Sequence, residues 1–374
     1  MTRETKELID FLGLNGLEQA LVADLSYGGQ RLLEIGLALG AKPTLLLLDE
    51  PLAGLSSDER ERVVELARRL SRHVGVLIIE HDIDRVFAFA DAITVMHEGK
   101  VLVDGTPDEV RHHPKVQEVY LGHGHTAQVR EKAPPPPGGQ PILLLEKVNA
   151  YYGKSHILHD VSLEVRQNEV VALVGRNGAG KTTTLKSVMG LVPPRNGEVH
   201  CLGSRVTGQI PEEIARMGVG LVPQGRRLFP NLTVAENLRL GGLRRTGGDG
   251  ARWDRERIYQ YFPKLRSLMD TKADVLSGGE QQMVAIARAL AGQVRFLLLD
   301  EPFEGLSPTV KEEVFRSIDQ LRGEISILIV EHDLDRVLAL ADRVYALDCG
   351  LITYEGPAAP LLTDIGLRKQ VLWV

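Results

Sequence analysis

VVALVGRNGAGKTTTLKSVMG, residues 170–190, decides the fold. Its opening apolar residues read as a short buried strand, and TTTLKSVMGL reads as a helix. Between them, GRNGAGKT at 175–182 satisfies G-x-x-x-x-G-K-[ST] at every fixed position. A strand before and a helix after form the context that separates this motif from a plain glycine turn. Gly178 and Gly180 let the backbone curl until its N–H groups face a phosphate. The helix N-terminus adds partial positive charge. Lys181 then reaches the β- and γ-phosphates of a nucleotide, and Thr182 offers its hydroxyl to Mg²⁺.

Working outward, FLLLD (296–300) and SILIVEHD (326–333) are further buried-strand runs, and VAIARALAG (284–292) has helical periodicity. ILLLEKVNAYYG (142–153) and VSLEV (161–165) suit an antiparallel addition. Strands alternating with helices imply an α/β fold whose sheet is mostly parallel and covered on both faces. Asp300 closes its strand, where a carboxylate at the carboxyl end of a parallel strand faces the phosphate site and holds Mg²⁺ through water. Glu301, next along, is the candidate to polarise an attacking water.

The chain also repeats. LLLLDEP at 45–51 answers FLLLDEP at 296–302, an offset of 251. The same offset relates Ser26 to Ser277, Gly54 to Gly305, His81 to His332 and Asp91 to Asp342, and it holds to Leu121 and Leu372 without insertion or deletion. Two homologous units follow. Unit one spans 1–122. Residues 123–140, with Pro134–Pro137 and Gly138–Gly139, read as a linker. Unit two spans 141–374. Met1 takes the register of Arg252, so residues 141–251 have no counterpart in unit one.

Composition narrows the function. A net charge of −6 disfavours a nucleic-acid partner held by basic charge, and aromatics at 5% argue against base-stacking surfaces. Two cysteines make neither a disulfide scaffold nor a four-cysteine zinc site, and both read as inert. No run of 18 apolar residues exists, so no spanning helix is expected. Trp253 and Trp373 read as packing residues, and DERERVVELARRL (58–70) as a solvated helix.

LSGGEQQ (276–282) stands 23 residues before Asp300, and LSYGGQR (25–31) stands 23 before Asp49. With the P-loop, Gln224 in LVPQ, His332 in VEHD, His81 in IEHD, Tyr152 in YYGKSHIL, EGLS (304–307) and AGLS (53–56), the chain resembles the ATP-binding cassette (ABC) ATPases. The resemblance implies a P-loop ABC fold with a mostly parallel sheet, an antiparallel β subdomain and a helical signature subdomain, unit one being a truncated copy. It implies ATP and Mg²⁺ as ligands. Tyr152 would stack on adenine, and Gly175, Asn177, Gly178, Gly180, Lys181, Thr182 and Thr183 would line the nucleotide. Thr182, Gln224 and Asp300 would serve the metal, and Glu301 with His332 the hydrolysis. Ser277 and Gly279, and Ser26 and Gly28 in unit one, would meet the γ-phosphate held by another cassette. By themselves, Ser277 and Gly279 equally suit a helix cap that needs no ligand. Asp49, Glu50 and His81 are unit one's counterparts of the catalytic set, and Tyr27 departs from the signature's usual third glycine.

Finer likeness, in NAYYGKSHILHDVSLEV (149–165) and VPQGRRLFPNLTVAENL (222–238), is to the smaller ATPase of branched-chain amino-acid importers. LSYGGQRLLEIG (25–36) and GTPDEVRHHPKVQEVYLG (105–122) resemble the back half of the larger one. Such ATPases sit peripherally on the cytoplasmic face of the membrane. Their partners are two permeases, an extracytoplasmic substrate-binding protein, and a second ATPase subunit or a second copy. Relatives moving urea, short amides or other amino acids share these motifs, because the ATPase never touches the cargo.

Other classes fit less well. Ribosome-associated ABC factors join two whole cassettes by a long charged helical linker, and DNA-repair ATPases insert a coiled coil between P-loop and signature. Here only 96 residues without heptads separate Lys181 from Ser277. A non-catalytic cassette describes unit one alone. Unit one keeps TLLLLD and GVLIIEHD but has no P-loop strand, so an unpaired inner edge and marginal stability are expected of it. The coding frame is expected to continue upstream by about 110 residues with a further P-loop, the length that unit two's 141–251 sets. As written, the chain would build one mixed site, from Lys181 with Ser26 and Gly28, and Ser277 would find a P-loop only in a homodimer.

Overall fold

The computed structural model describes residues 3–22, 25–52, 55, 57–80, 83–97, 99–116, 141–243 and 253–372. The linker stretch 123–140, His81 and Trp373 lie outside the described residues. The chain divides into two compact units, Met1–Gly124 and His125–Val374.

In unit one, β1 (Leu45–Asp49) pairs in parallel with β2 (Gly75–Ile79), with Leu45 opposite Gly75 and Asp49 opposite Ile79. A separate antiparallel pair joins β3 (Ile93–His97) to β4 (Lys100–Gly105). The charged run at 58–70 lies in the helix Ser57–Ser71, but it is not simply solvated. Val63, Leu66, Ala67 and Leu70 are buried at helical spacing, so an apolar stripe interrupts the charges and packs on Leu46.

Unit two begins with β5 (Pro141–Tyr152) and β6 (Ser155–Arg166), a long antiparallel pair. Then come β7 (Val170–Val174), β8 (Asn196–Cys201), β9 (Ser204–Arg205) and β10 (Val219–Val222). After a helical stretch come β11 (Phe296–Asp300), β12 (Ser326–Val330), β13 (Arg343–Asp348) and β14 (Leu351–Pro357). The central sheet runs β10-β11-β12-β7-β13-β14, and only the β13–β14 pairing is antiparallel. A second sheet, β6-β5-β8-β9, is antiparallel throughout.

Alternation along the strands builds two cores, one on each face of the central sheet. Val170, Ala172, Leu297, Leu299, Ile327 and Ile329 pack with the helical stretch. Val171, Leu173, Phe296, Leu298, Leu328 and Val330 pack with β5, β6 and the P-loop helix Lys181–Val188. Burial on both faces explains why β7, β11 and β12 read as unbroken apolar runs. Each of the Val, Leu, Ile and Phe side chains among these, taken fully out of water, contributes roughly 1.5–3 kcal/mol.

The offset of 251 survives folding. β1, β2, β3 and β4 fall on β11, β12, β13 and β14, and the helix Tyr27–Gly40 falls on Gly278–Leu290. What unit two places between β12 and β13 is β7. Among the described residues unit one has no strand there, and its strands form two separate pairs instead of one sheet. Its helix-facing side is built, with Leu46, Ile35 and Leu66 buried together. Its other side is bare: Leu45 is 55% exposed, Leu47 65%, Leu77 55% and Ile79 58%, whereas Phe296, Leu298, Leu328 and Val330 are each 0% exposed.

Among the described residues, no helix is long and apolar enough to cross a membrane. Trp253 is buried and donates its indole N–H to Val294 O, a packing role. Cys201 is buried, and desolvation pushes its thiol up to about 12, which removes its reactivity at neutral pH. Cys349 is exposed and unpaired by disulfide.

Candidate active site

The loop at 175–180 exists because its glycines permit it. Gly175 has φ +152°, and a β-carbon there would lie 2.1 Å from Leu347 O. Gly180 has φ +109° and caps the helix Lys181–Val188, where a side chain would strike Leu158. Lys181 is buried, and its Nζ donates to Gly175 O at 2.9 Å and Arg176 O at 3.0 Å. The ammonium is therefore folded back on the loop it serves. Burial draws its pKa down, while the carboxylates of Glu301, Asp300 and Glu331 work against that.

Thr182 Oγ1 donates to Asp300 Oδ1 at 3.0 Å. Burial pushes the Asp300 carboxyl up, against the Thr182 hydrogen bond that favours its ionised form. A hydroxyl and a carboxylate converging beside a phosphate loop form the oxygen donor set that a hard divalent cation takes, so the residues fit Mg²⁺.

Glu301 follows Asp300 with φ +50°, a left-handed conformation uncommon outside glycine. This turns its carboxylate out of the strand, while its N–H still donates to Val330 O at 2.9 Å. Glu301 Oε1 lies 2.6 Å from His332 Nε2, and Oε2 accepts from Gln224 Nε2 at 3.0 Å. Gln224 also donates to Glu304 Oε2 at 2.9 Å. Burial raises the Glu301 pKa, but the His332 hydrogen bond and the nearby charges of His332 and Lys181 outweigh it and hold the carboxyl below the ordinary range. A low pKa keeps the group ionised, as acceptance of a proton from water requires. Tyr152 ends β5 and is 46% exposed.

The structure thus gathers Lys181, Thr182, Gln224, Asp300, Glu301 and His332 around one loop mouth. It also adds a residue that sequence reasoning missed. Glu331 is buried, and its two oxygens accept from Phe303 N at 3.1 Å and from His332 N at 2.8 Å. It ties the segment after Glu301 to the segment that carries His332. Desolvation pushes this carboxyl up to about 7. Unit one repeats half of the tie, with Leu52 N donating to Glu80 Oε1 at 2.9 Å. The signal was present as a glutamate before the histidine in both VEHD and IEHD.

Residues 158–304 match the sequence profile of the ABC transporter family. Residues 100–126 match a profile described as branched-chain amino acid ATP-binding cassette transporter. Over 232 residues the chain is 41% identical to the high-affinity branched-chain amino acid transport ATP-binding protein BraG of Pseudomonas aeruginosa, covering 62% of this chain and 99% of that protein. The chain belongs to the ABC transporter family. It is an ATP-binding and ATP-hydrolysing subunit that uses Mg²⁺.

Two further likenesses refine the picture of this ABC ATPase. It is 32% identical to the ribose import ATP-binding protein RbsA 1 of Rubrobacter xylanophilus, across 96% of its own length and 72% of the relative's. A crystal structure of a nucleotide-free ATP-binding cassette from an ABC transporter superposes with a TM-score of 0.54 at 29% identity, over 60% of this chain and 96% of that one.

The signatures of the cassette and of unit one differ. Ser277 opens the helix Gly278–Leu290 in a capping box: its N–H donates to Glu280 Oε2 at 2.9 Å, and its hydroxyl donates to the same oxygen at 2.8 Å. The helix-cap role is therefore real, and a ligand would have to share or displace it. A β-carbon on Gly279 would sit 2.2 Å from Val310 Cγ1. In unit one the position of Val310 is held by Glu59. Its Oε1 accepts from Ser26 Oγ at 3.0 Å and from Gly28 N at 3.1 Å. A carboxylate of the chain itself thus satisfies both of these donors. Glu50 repeats the left-handed φ of Glu301 at +44° and donates its N–H to Ile79 O at 2.9 Å.

Proposed function

We propose that the chain powers an importer of branched-chain or closely related amino acids, bound to membrane permeases on the cytoplasmic face and served by an extracytoplasmic substrate-binding protein. The observation that carries this is the agreement of two separate likenesses. Unit two resembles BraG along that protein's whole length, and the end of unit one matches the branched-chain transporter profile.

In this reading Tyr152 stacks on adenine, and Gly175, Asn177, Gly178, Gly180 and Thr183 line the phosphates. Lys181 leaves its loop carbonyls for the β- and γ-phosphates. Thr182, Gln224 and Asp300 hold Mg²⁺, which when bound neutralises charge on those phosphates. Glu301 takes a proton from the attacking water while His332 fixes the carboxylate and the γ-phosphate side of the site. Glu331 positions both by its two N–H contacts. Ser277 and Gly279 act in trans, on nucleotide held by another cassette. Unit one is the rear half of a second cassette, with Asp49, Glu50 and His81 in the corresponding places and 123–140 as the tether.

Sugar import is the second reading, favoured by the RbsA likeness that extends through both units. Reconstitution separates the two. With permeases and binding protein in vesicles, ATP turnover should rise when the binding protein carries leucine and stay basal when it is offered ribose. Stimulation by ribose alone would overturn the amino-acid assignment. Binding of the purified chain to permease-free liposomes would overturn partner-mediated membrane association.

A further inference from the structure

We infer that Arg195 is a positioning residue for the base end of the nucleotide. It ties the hairpin that carries Tyr152 to the helix that follows the phosphate loop, and so sets how far Tyr152 stands from the phosphates. The inference rests on reading Tyr152 as the surface on which adenine stacks.

The two ends of the nucleotide site belong to different elements of unit two. The phosphate loop leads into the helix Lys181–Val188. Tyr152 closes β5 in the antiparallel sheet, beside a two-residue turn that Gly153 opens at φ +59°. The tip of a hairpin has few packing neighbours, so a side chain there needs an anchor of its own. Arg195 supplies one. Its Nη2 donates to Gly153 O at 2.5 Å, and its backbone N–H donates to Asn149 O at 2.8 Å. Its guanidinium lies over the Tyr151 ring, 4.2 Å from the centroid. From β6, His156 stacks on the same ring at 4.1 Å and 9°, and its Nε2 lies 2.9 Å from Asn149 Oδ1. β5 runs between β6 and β8, and Arg195 directly precedes β8, so Tyr151 is held from both neighbouring strands. Successive residues of a strand face opposite ways. Fixing Tyr151 on one face therefore fixes the direction of Tyr152 on the other. The other end of the tie is equally firm. Leu191 and Val192 both donate their N–H to Lys186 O, at 2.9 and 3.2 Å, which fastens the segment before Arg195 to the phosphate-loop helix. An arginine suits this place because one planar cation can cover a ring and reach a carbonyl at once.

The test compares ligands with and without a base in the purified full chain. ATP and inorganic tripolyphosphate, each with Mg²⁺, are titrated by calorimetry into the parent, Arg195→Ala, Tyr152→Ala and the double variant. Arg195→Ala should lower ATP affinity about three- to tenfold and leave tripolyphosphate affinity within about twofold. Tyr152→Ala should lower ATP affinity roughly 5- to 150-fold, the range of a lost base–aromatic stack. The double variant should bind ATP no more weakly than Tyr152→Ala alone, because Arg195 acts through that ring. In turnover, KM for ATP should rise in Arg195→Ala with kcat unchanged, since the base lies away from the reacting phosphate. Three results each overturn the inference: equal losses for ATP and tripolyphosphate, additive losses in the double variant, or an ATP affinity that Arg195→Ala leaves unchanged. If Tyr152→Ala still weakens ATP in those cases, the stacking reading stands and the positioning role alone falls. An ATP affinity unchanged in Tyr152→Ala removes the stacking reading and the inference with it.

Discussion

Leu328 and Leu77 stand at the same place in the repeat, on the corresponding strands β12 and β2, yet one is sealed and the other meets water. The two units agree in the chain order and bounds of their shared strands and helices and in the left-handed turn at Glu301 and Glu50. Local structure therefore follows from local sequence in both. The difference arises one level up. A strand's apolar alternation fixes which side chains share a face, and only another segment can decide whether that face is buried. The helix-facing side of unit one is built from helices local in sequence, whereas in unit two the other side is covered by residues of 141–251, distant in sequence from β11 and β12.

Charge placed on that face breaks or keeps the comparison most strongly. Leu328→Asp buries an unpaired carboxylate in unit two and should cost more than about 4 kcal/mol, seen as loss of the folded protein in denaturant melts. Leu77→Asp should change stability by no more than about 0.5 kcal/mol in the purified chain. Equal damage from both would mean that unit one's face is covered.

Nucleotide binding sharpens the contrast. Lys181→Ala removes charge-assisted contacts worth about 1.5–3 kcal/mol, so ATP affinity measured by calorimetry should fall roughly 10- to 150-fold. The parent should bind one ATP per chain. A second site of similar affinity would give unit one a phosphate site of its own.

Glu331 adds a pH test confined to unit two. Its folded pKa of about 7 lies above the ordinary 4.5, so its contribution to stability is present below pH 4.5 and is lost as pH rises through 7. Over that window the loss is about 3 kcal/mol at most. Glu301 and His332 face the same carboxylate, so the signal is the difference between parent and Glu331→Gln. The variant's melting temperature should fall less between pH 5 and 8. Parallel curves would mean that Glu331 is not desolvated.

Smallest is the effect of Glu59→Val, which gives unit one's signature the residue of unit two. Losing a carboxylate at the helix start should cost about 1 kcal/mol in thermal melts. A gain in stability would show that Glu59 strains the cap it occupies.

Much of this was legible in the chain itself. GRNGAGKT named the phosphate loop, and the repeat of DEP and EHD fixed Asp300, Glu301 and His332 on two strand ends. What stayed hidden depends on distance and exposure. The bond between Gln224 and Glu301 joins residues 77 apart. The double acceptance by Glu331 needs β11 and β12 side by side, which no spacing rule reveals. The amphipathic character of 58–70 was masked by its charges, since Val63, Leu66 and Leu70 show their stripe only once Leu46 lies beneath them. Glu59 could have been noticed as the one acidic replacement of Val310 beside a signature, but its hold on Ser26 and Gly28 is a matter of geometry.

The central proposal is that hydrolysis depends on Glu301 of unit two and not on its counterpart Glu50 in unit one. Steady-state ATP turnover of the full chain, measured for Glu301→Gln and Glu50→Gln beside the parent, tests it directly. Loss of a general base typically costs 10²–10⁴-fold, so Glu301→Gln should drop turnover by at least about a hundredfold while ATP binding persists. Glu50→Gln should stay within about twofold of the parent. Turnover retained by Glu301→Gln, or lost in Glu50→Gln, would contradict the account.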